Sequence, residues 1–316
     1  MSKPRILCMV DLEPYPDVRA YLEQHSELTI EPPDEKRLVE LIPDYDAYFG
    51  HIHVRVTRAV IERGTPRLKA VASPTTGADH IDLDACTEYG VEVVCIKTEY
   101  DLLRTFTATA ELAWGLLISA MRELPAAHGR AVSGYWDRDL FTGHQLRGKT
   151  LGILGYGRLG TMVAEYGRAF QMRVIAHDIK PFEACGIEPV DFDTLVRESD
   201  VLSLHIHLTP DTERIIGRSE IARMKPGAVL INVSRGALVD EKALVEALES
   251  GQLGGAGVDV ITDEWSDDLA NHPVIRYAAS HRNLIVSPHI GGSTYETNHD
   301  ARMFTVRKLV AFLEKQ

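Results

Sequence analysis

The run Thr150-Leu151-Gly152-Ile153-Leu154 leads directly into Gly155-Tyr156-Gly157-Arg158-Leu159-Gly160, and Thr161–Phe170 continues with helical patterning. A strand, a glycine-rich turn and a helix in that order can cradle a dinucleotide pyrophosphate. Gly155 permits the tight turn, Gly157 lets the backbone approach the phosphates, and Gly160 lets the helix pack on the strand. The helix N-terminus then presents its unpaired N–H groups to the anion. Asp178 follows 23 residues after Gly155, at the end of the next strand. A carboxylate there accepts from both ribose hydroxyls and repels a 2′-phosphate, which favours NAD over NADP. Lys180, two positions on, softens that preference. The motif is also compatible with a glycine-rich turn in a nucleotide-free α/β protein.

Three further groups stand out in the C-terminal half. Arg235 lies in Asn232-Val233-Ser234-Arg235-Gly236, at the carboxyl end of an expected strand. A guanidinium there can clamp a carboxylate through paired planar hydrogen bonds. Position alone favours a surface arginine after a strand. His289 lies in Ser287-Pro288-His289-Ile290-Gly291-Gly292, again after an apolar strand. Imidazole titrates near neutrality and suits reversible proton transfer, although the chain has 13 histidines and a lone one means little. Glu264 follows Asp259 by five residues in GVDVITDE, with Asp263 as a neighbouring carboxylate.

Strands and helices must alternate to position these groups. Expected strands in the first part are Arg5–Val10, Tyr45–Phe49, Leu68–Ala72 and Val91–Cys95, with helices at Asp17–His25 and Asp82–Tyr89. One long helix is expected from about Thr107 to His128. A second series has strands at Thr150–Leu154, Arg173–Ala176, Val201–His205, Ala228–Asn232, Gly255–Asp259 and Leu284–Ser287. Its helices fall at Leu159–Phe170, Phe192–Glu198, Ser219–Met224 and Glu241–Glu249, and a last helix runs from about Thr294 to Glu314. Such alternation implies an α/β fold with parallel sheets covered by helices.

Composition narrows the class. Apolar residues make up 45% and charged residues 25%, as in an ordinary globular protein, and the length suits two domains. The net charge of −12 disfavours nucleic acid and anionic membrane surfaces as partners but leaves room for a small anionic substrate held by local cations. The longest apolar-rich run, Leu112–Met121, covers about half a membrane span. Cys8, Cys86, Cys95 and Cys185 form no C-x-x-C pair and read as buried thiols in a reducing cytoplasm.

Taken together, LRGKTLGILGYGRLG, VLSLHIHLTPDTERIIG, MKPGAVLINVSRGALVDEKAL, GAGVDV and NLIVSPHIGGST occur in an order and spacing that resembles the D-isomer-specific 2-hydroxyacid dehydrogenases. The resemblance is densest from Gly148 to Thr294 and covers most of the chain. It implies two Rossmann-like, doubly wound parallel-sheet domains, with an NAD-binding domain (residues 101–289) inserted into a split substrate-binding domain (residues 1–100 plus 290–316). It also implies a homodimer formed through the NAD domain, and a soluble cytoplasmic enzyme interconverting a small D-2-hydroxy acid and its 2-keto acid.

By the same resemblance Arg235 binds the substrate carboxylate and keto oxygen, His289 is the acid–base, and Glu264 hydrogen-bonds His289 and raises its pKa. Glu264 is preferred to Asp263 on register. The cofactor falls to Gly155, Tyr156, Gly157, Arg158, Leu159, Gly160 and Asp178. Further along the chain it falls to His205, Thr209 and Pro210, to Val233 and Ser234, and to Asp259, Gly291 and Gly292. No metal is implied. The segment TTGADHIDLDA resembles the substrate loop, in which N–H groups near Thr75, Thr76 and Gly77 hold the carboxylate; on its residues alone it is an ordinary strand-to-helix turn.

Several positions depart from the family pattern. Trp265 stands where proline usually follows the glutamate, and His207 where proline is common. His51 and His53 fall where relatives place arginine and serine, and Arg104 lies near the expected cleft. His53 and Arg104 are therefore candidate substrate contacts, with a solvated side chain as the alternative for each. These departures keep open a phosphonate or phosphite-type substrate. A corepressor-like, NAD-sensing binding protein is the alternative outside enzymes.

Overall fold

A computed structural model of the protein describes residues 3–50 and 52–316; His51 lies outside the described residues. The chain divides into two compact units, Met1–Phe106 with Thr294–Gln316, and Thr107–Ser293.

The first unit is built on five short parallel strands: β1 (Arg5–Cys8), β2 (Glu27–Ile30), β3 (Ala47–Phe49), β4 (Ala70–Ala72) and β5 (Glu92–Val94). They pair in the order β2-β1-β3-β4-β5. Strands β1, β3 and β4 are apolar and almost wholly buried, as expected for parallel strands covered on both faces. Helices α1 (Pro16–His25), α2 (Glu35–Leu41), α3 (Arg58–Gly64), α4 (Leu83–Tyr89) and α5 (Tyr100–Leu103) connect them. Asp34 and Asp82 cap α2 and α4 by accepting backbone N–H groups of their first turns. One apolar core joins Leu7, Tyr48, Val71 and Ile61, and another joins Ile6, Phe49, Ala72 and Leu22.

The second unit begins with α6 (Ala108–Arg122) and α7 (Leu124–Val132). The single helix expected from Thr107 to His128 is broken here. Glu123 adopts the left-handed conformation (φ 50°), and Pro125 sits in the first turn of α7. A proline lacks the N–H that would continue α6 and its ring clashes with the carbonyl one turn back, so the chain restarts. The sheet follows as β6 (Thr150–Leu154), β7 (Arg173–His177), β8 (Glu188–Pro189), β9 (Val201–Leu204), β10 (Ala228–Asn232), β11 (Leu253–Val258) and β12 (Leu284–Val286). Between them run α8 (Arg158–Ala169), α9 (Phe192–Glu198), α10 (Arg218–Arg223), α11 (Glu241–Ser250) and α12 (Pro273–Ala278). All pairings are parallel, in the order β12-β11-β10-β9-β6-β7-β8. The strand order reverses beside β6, which is where a doubly wound sheet opens a crevice at its carboxyl edge. Helix α6 packs on β10 and β11.

The last helix, α13 (Tyr295–Leu313), packs against α1 and β4 and so completes the first unit. The chain crosses between units after Phe106 and after Ser293, a few residues beyond the expected 100 and 289. Cys8 and Cys86 are buried, but Cys185 is exposed, contrary to the expectation for all four thiols. It lies in the irregular segment between β7 and β8, outside either core cluster. Among the described residues no helix is long and apolar enough to cross a membrane.

Candidate active site

The carboxyl edge of the second unit's sheet gathers most of the residues marked by sequence. The glycine turn follows β6, Asp178 ends β7, and His205 follows β9. Arg235 follows β10, Asp259 and Glu264 follow β11, and His289 follows β12. The last three loops rise from neighbouring strands, so their side chains can converge although 29 residues separate Arg235 from Glu264 and 25 separate Glu264 from His289.

The glycines divide by what surrounds them. Gly155 has φ 94°, and a Cβ there would lie 2.6 Å from the His205 carbonyl oxygen. A Cβ on Gly160 would lie 2.0 Å from the Gly155 carbonyl oxygen. Internal packing requires both. A Cβ on Gly157 would meet nothing within 4 Å. Protein packing therefore leaves room at Gly157, where a ligand could come against the backbone. Gly157 is also the N-cap of α8 and offers no side-chain acceptor to the first-turn N–H groups. An open backbone cradle at an uncapped, twelve-residue helix fits a pyrophosphate. Asp178 accepts from Tyr156 N–H (2.8 Å) through one carboxylate oxygen and from Lys180 N–H (2.9 Å) through the other. It ties the glycine turn to β7 while each oxygen keeps a further lone pair.

His205 Nε2 is hydrogen-bonded to Ser203 Oγ at 2.8 Å, and its buried Nδ1 makes no hydrogen bond within the protein. Burial pushes its pKa down to about 4, so the ring is neutral near pH 7. An orphaned polar atom beside the glycine turn is a second feature that a bound cofactor would fit. Val233 is buried and Ser234 donates its hydroxyl to the Leu204 carbonyl, which joins the ends of β9 and β10. Thr209 and Pro210 lie in an exposed turn closed by Thr212, and His207 is exposed just before it.

Arg235 is held in an extended backbone conformation beside Asn232. The Asn232 amide donates to the Arg235 carbonyl (2.9 Å), and its oxygen accepts from Ser234 N–H (3.0 Å). Gly236 packs so tightly that a Cβ would sit 2.1 Å from the Ile261 carbonyl carbon. The arginine turn is thereby seated against the segment leading to Glu264. Asn232 was not singled out by sequence, although its place one turn before Arg235 in a strand-end motif is a usable signal.

Glu264 Oε1 lies 2.8 Å from His289 Nδ1. A carboxylate accepts, so Nδ1 carries the proton and Nε2 is the atom left to exchange one. Two non-glycine residues here have left-handed backbones, Asp263 (φ 50°) and His289 (φ 52°). Such conformations persist only where surroundings enforce them. Asp259 supplies much of that enforcement. Its carbonyl accepts His289 N–H (2.8 Å), and its carboxylate accepts from Ser287 Oγ (2.6 Å), Ile290 N–H (2.9 Å) and Gly291 N–H (2.7 Å). Burial pushes the Asp259 carboxyl above its ordinary value, against the lowering effect of these donors. Gly292 has open space where a Cβ would be.

On the other side, part-buried Glu241 accepts from Thr262 N–H at 2.7 Å and from the Thr262 hydroxyl, and His272 joins them. Sequence reasoning missed this support, because nothing in the spacing of Glu241, Thr262 and His272 announces it. Trp265, half exposed, stacks beside His289 with ring centroids 6.1 Å apart and planes at 22°.

In the first unit, Thr75, Thr76 and Gly77 form the loop after β4, and His53 lies exposed in the loop after β3, both at the carboxyl edge of that sheet. Arg104 is exposed at the end of α5 and ion-paired with Asp101 at 3.2 Å. Among the described residues no cluster of three His, Cys, Asp or Glu side chains is placed to hold a metal.

Comparison with known proteins shows the family and the fold. Residues 114–291 match the model for the D-isomer specific 2-hydroxyacid dehydrogenase, NAD binding domain. A glyoxylate reductase of Thermococcus litoralis is 37% identical over 286 residues, which span 87% of this chain and 82% of that protein. A hydroxypyruvate reductase of Thermotoga maritima is 36% identical over 91% of each chain. Among solved structures, D-lactate dehydrogenase from Aquifex aeolicus, complexed with NAD and lactic acid, superposes with a TM-score of 0.86 at 29% identity, covering 98% of this chain and 96% of that one.

Proposed function

This chain belongs to the D-isomer-specific 2-hydroxyacid dehydrogenases, and from that premise we propose how its residues divide the work. It is an NAD-dependent oxidoreductase that interconverts a D-2-hydroxy acid and the corresponding 2-keto acid. When bound, NAD supplies or accepts the hydride; the protein supplies orientation, charge and a proton.

In the proposed mechanism Arg235 holds the substrate carboxylate and polarises the carbonyl. His289 gives its Nε2 proton to the keto oxygen during reduction and takes one from the hydroxyl during oxidation. Glu264 holds Nδ1–H, so the ring cannot turn its proton away from the substrate, and it stabilises the imidazolium. The hydrogen-bonded Glu264–His289 pair carries this reading. Gly157, the first turn of α8 and Asp178 would hold the cofactor, with Asp259, Gly291 and the neutral His205 nearby along the same sheet edge. The unit formed by both chain ends is the substrate-binding domain, and its Thr75–Gly77 loop takes the carboxylate.

The relatives that are named for glyoxylate and hydroxypyruvate support a keto acid of about two or three carbons. A homodimer through the NAD domain is supported by α7, which has no buried residue, and by exposed Tyr135, Trp136 and Leu140 after it. The net charge of −12 supports a protein without nucleic-acid partners. A spectrophotometric screen of NADH oxidation against short 2-keto acids tests the substrate class. Turnover of glyoxylate or hydroxypyruvate supports it, and activity confined to phosphonates or phosphite overturns it.

A further inference from the structure

The loop after β4 contains a hydrogen-bond chain whose proton directions are set by its last member. Thr75 Oγ1 lies 2.7 Å from the Gly77 carbonyl oxygen. A carbonyl only accepts, so the one hydroxyl proton of Thr75 is committed there. Ser73 Oγ, 2.8 Å from Thr75 Oγ1, must then donate to it. The Ser73 proton is committed in turn, so His80 Nε2, 3.1 Å from Ser73 Oγ, must be the donor that starts the chain. The order is His80 Nε2–H, Ser73 O–H, Thr75 O–H, Gly77 C=O.

The chain sits where it restrains the loop most. Ser73 is only 1% exposed, so water does not compete at its centre. Backbone bonds hold the loop's two ends: Ser73 N–H to Val94 carbonyl (2.9 Å), and Val56 N–H to His80 carbonyl (2.8 Å). Between those ends Gly77 has the widest backbone freedom of any residue, and its carbonyl is the group the chain captures.

We propose that His80 is a positioning residue for substrate binding: through Ser73 and Thr75 it pins the Gly77 carbonyl and so restrains the loop that presents the Thr76 and Gly77 N–H groups to a carboxylate. The proposal rests on the reading of Thr75–Gly77 as the carboxylate loop. An Nε2–H donor is present in the neutral Nε2–H tautomer and in the imidazolium alike, so the chain holds in both. Glutamine can offer a comparable N–H; leucine cannot.

Two measurements separate the proposal from the reading beneath it. The first is amide hydrogen exchange of the 73–80 segment in the NADH-bound enzyme, with and without oxamate, a non-reducible analogue of a 2-keto acid. Slower exchange with oxamate supports the carboxylate loop, and no change overturns that reading and the proposal with it. The second is steady-state reduction of the 2-keto acid by His80→Leu, Ser73→Ala and His80→Gln, each checked for an unchanged melting transition. His80→Leu and Ser73→Ala are expected to raise the keto-acid KM roughly three- to tenfold, the effect of one lost hydrogen bond. The NADH KM and kcat stay within about twofold, and His80→Gln returns close to the starting enzyme. Oxamate protection in His80→Leu equal to the parent's, with an unchanged KM, overturns the positioning role alone. So does a His80→Gln as impaired as His80→Leu, or an equal rise in the NADH KM.

Discussion

His289 Nδ1 and Glu264 Oε1 stand 2.8 Å apart, each on or next to a residue with a left-handed backbone. The pair joins the loops after β11 and β12, and Asp259 holds the backbone beneath it. Glu264→Gln keeps the shape and can still accept from Nδ1–H, but it removes the charge that stabilises the imidazolium. It should lower kcat for keto-acid reduction about tenfold or more, with the NADH KM little changed. Steady-state kinetics check this, and a kcat within about twofold contradicts it.

Arg235→Ala should raise the keto-acid KM strongly and also lower kcat, because the guanidinium engages the substrate in both ground and transition states. Arg235→Lys should recover little, since a point charge does not reproduce the planar fork. The split between KM and kcat in initial-rate data tests it; a change in kcat alone would contradict a carboxylate clamp.

Gly157→Ala and Gly160→Ala should fail in different ways. The first adds a Cβ into open space and should leave the melting temperature nearly unchanged while weakening NADH binding, read by fluorescence titration. The second places a Cβ 2.0 Å from the Gly155 carbonyl oxygen and should destabilise the second unit. Unchanged NADH affinity in Gly157→Ala would contradict the pyrophosphate assignment.

His299 bridges Asp17 on α1 and Asp300 on its own helix, at 2.7 and 2.9 Å. These carboxylates raise its pKa, and His299 in return lowers that of Asp17. A raised histidine contributes stability below the ordinary imidazole value and loses it as pH rises through the folded value. A lowered aspartate contributes above the ordinary carboxylate value and loses it as pH falls through its folded value. The bridge therefore works between those two limits. The groups are largely exposed, so the effect is small. His299→Gln should lower the melting temperature by about 1–2 °C near pH 6 and by less near pH 9. An equal loss at both would show that the ring acts by packing alone.

The sheets were legible because buried parallel strands such as Thr150–Leu154 and Ala228–Asn232 are continuous apolar runs, and both appear with the bounds expected. Strand β2 was not, because Glu27–Ile30 is half exposed at the sheet edge and its composition is mixed. The helix break at Glu123 was signalled by Pro125 but outweighed by the apolar pattern around it. For the proposed site, Arg235, Glu264 and His289 were singled out by the motifs around them, and the fold adds the hydrogen bond that joins Glu264 to His289. The groups that support the loops were less so: Glu241 beneath Thr262 and His80 behind Ser73 act through contacts that only the folded chain creates, whereas Asn232 beside Arg235 left a signal in its motif.

The proton exchanged at His289 Nε2 is the centre of the account, and His289→Ala tests it most directly. Reduction of the 2-keto acid by NADH should lose about 10²–10⁴ in kcat, with NADH affinity and the melting temperature essentially preserved. Near-normal turnover in that variant would contradict the assignment of His289 as the acid–base.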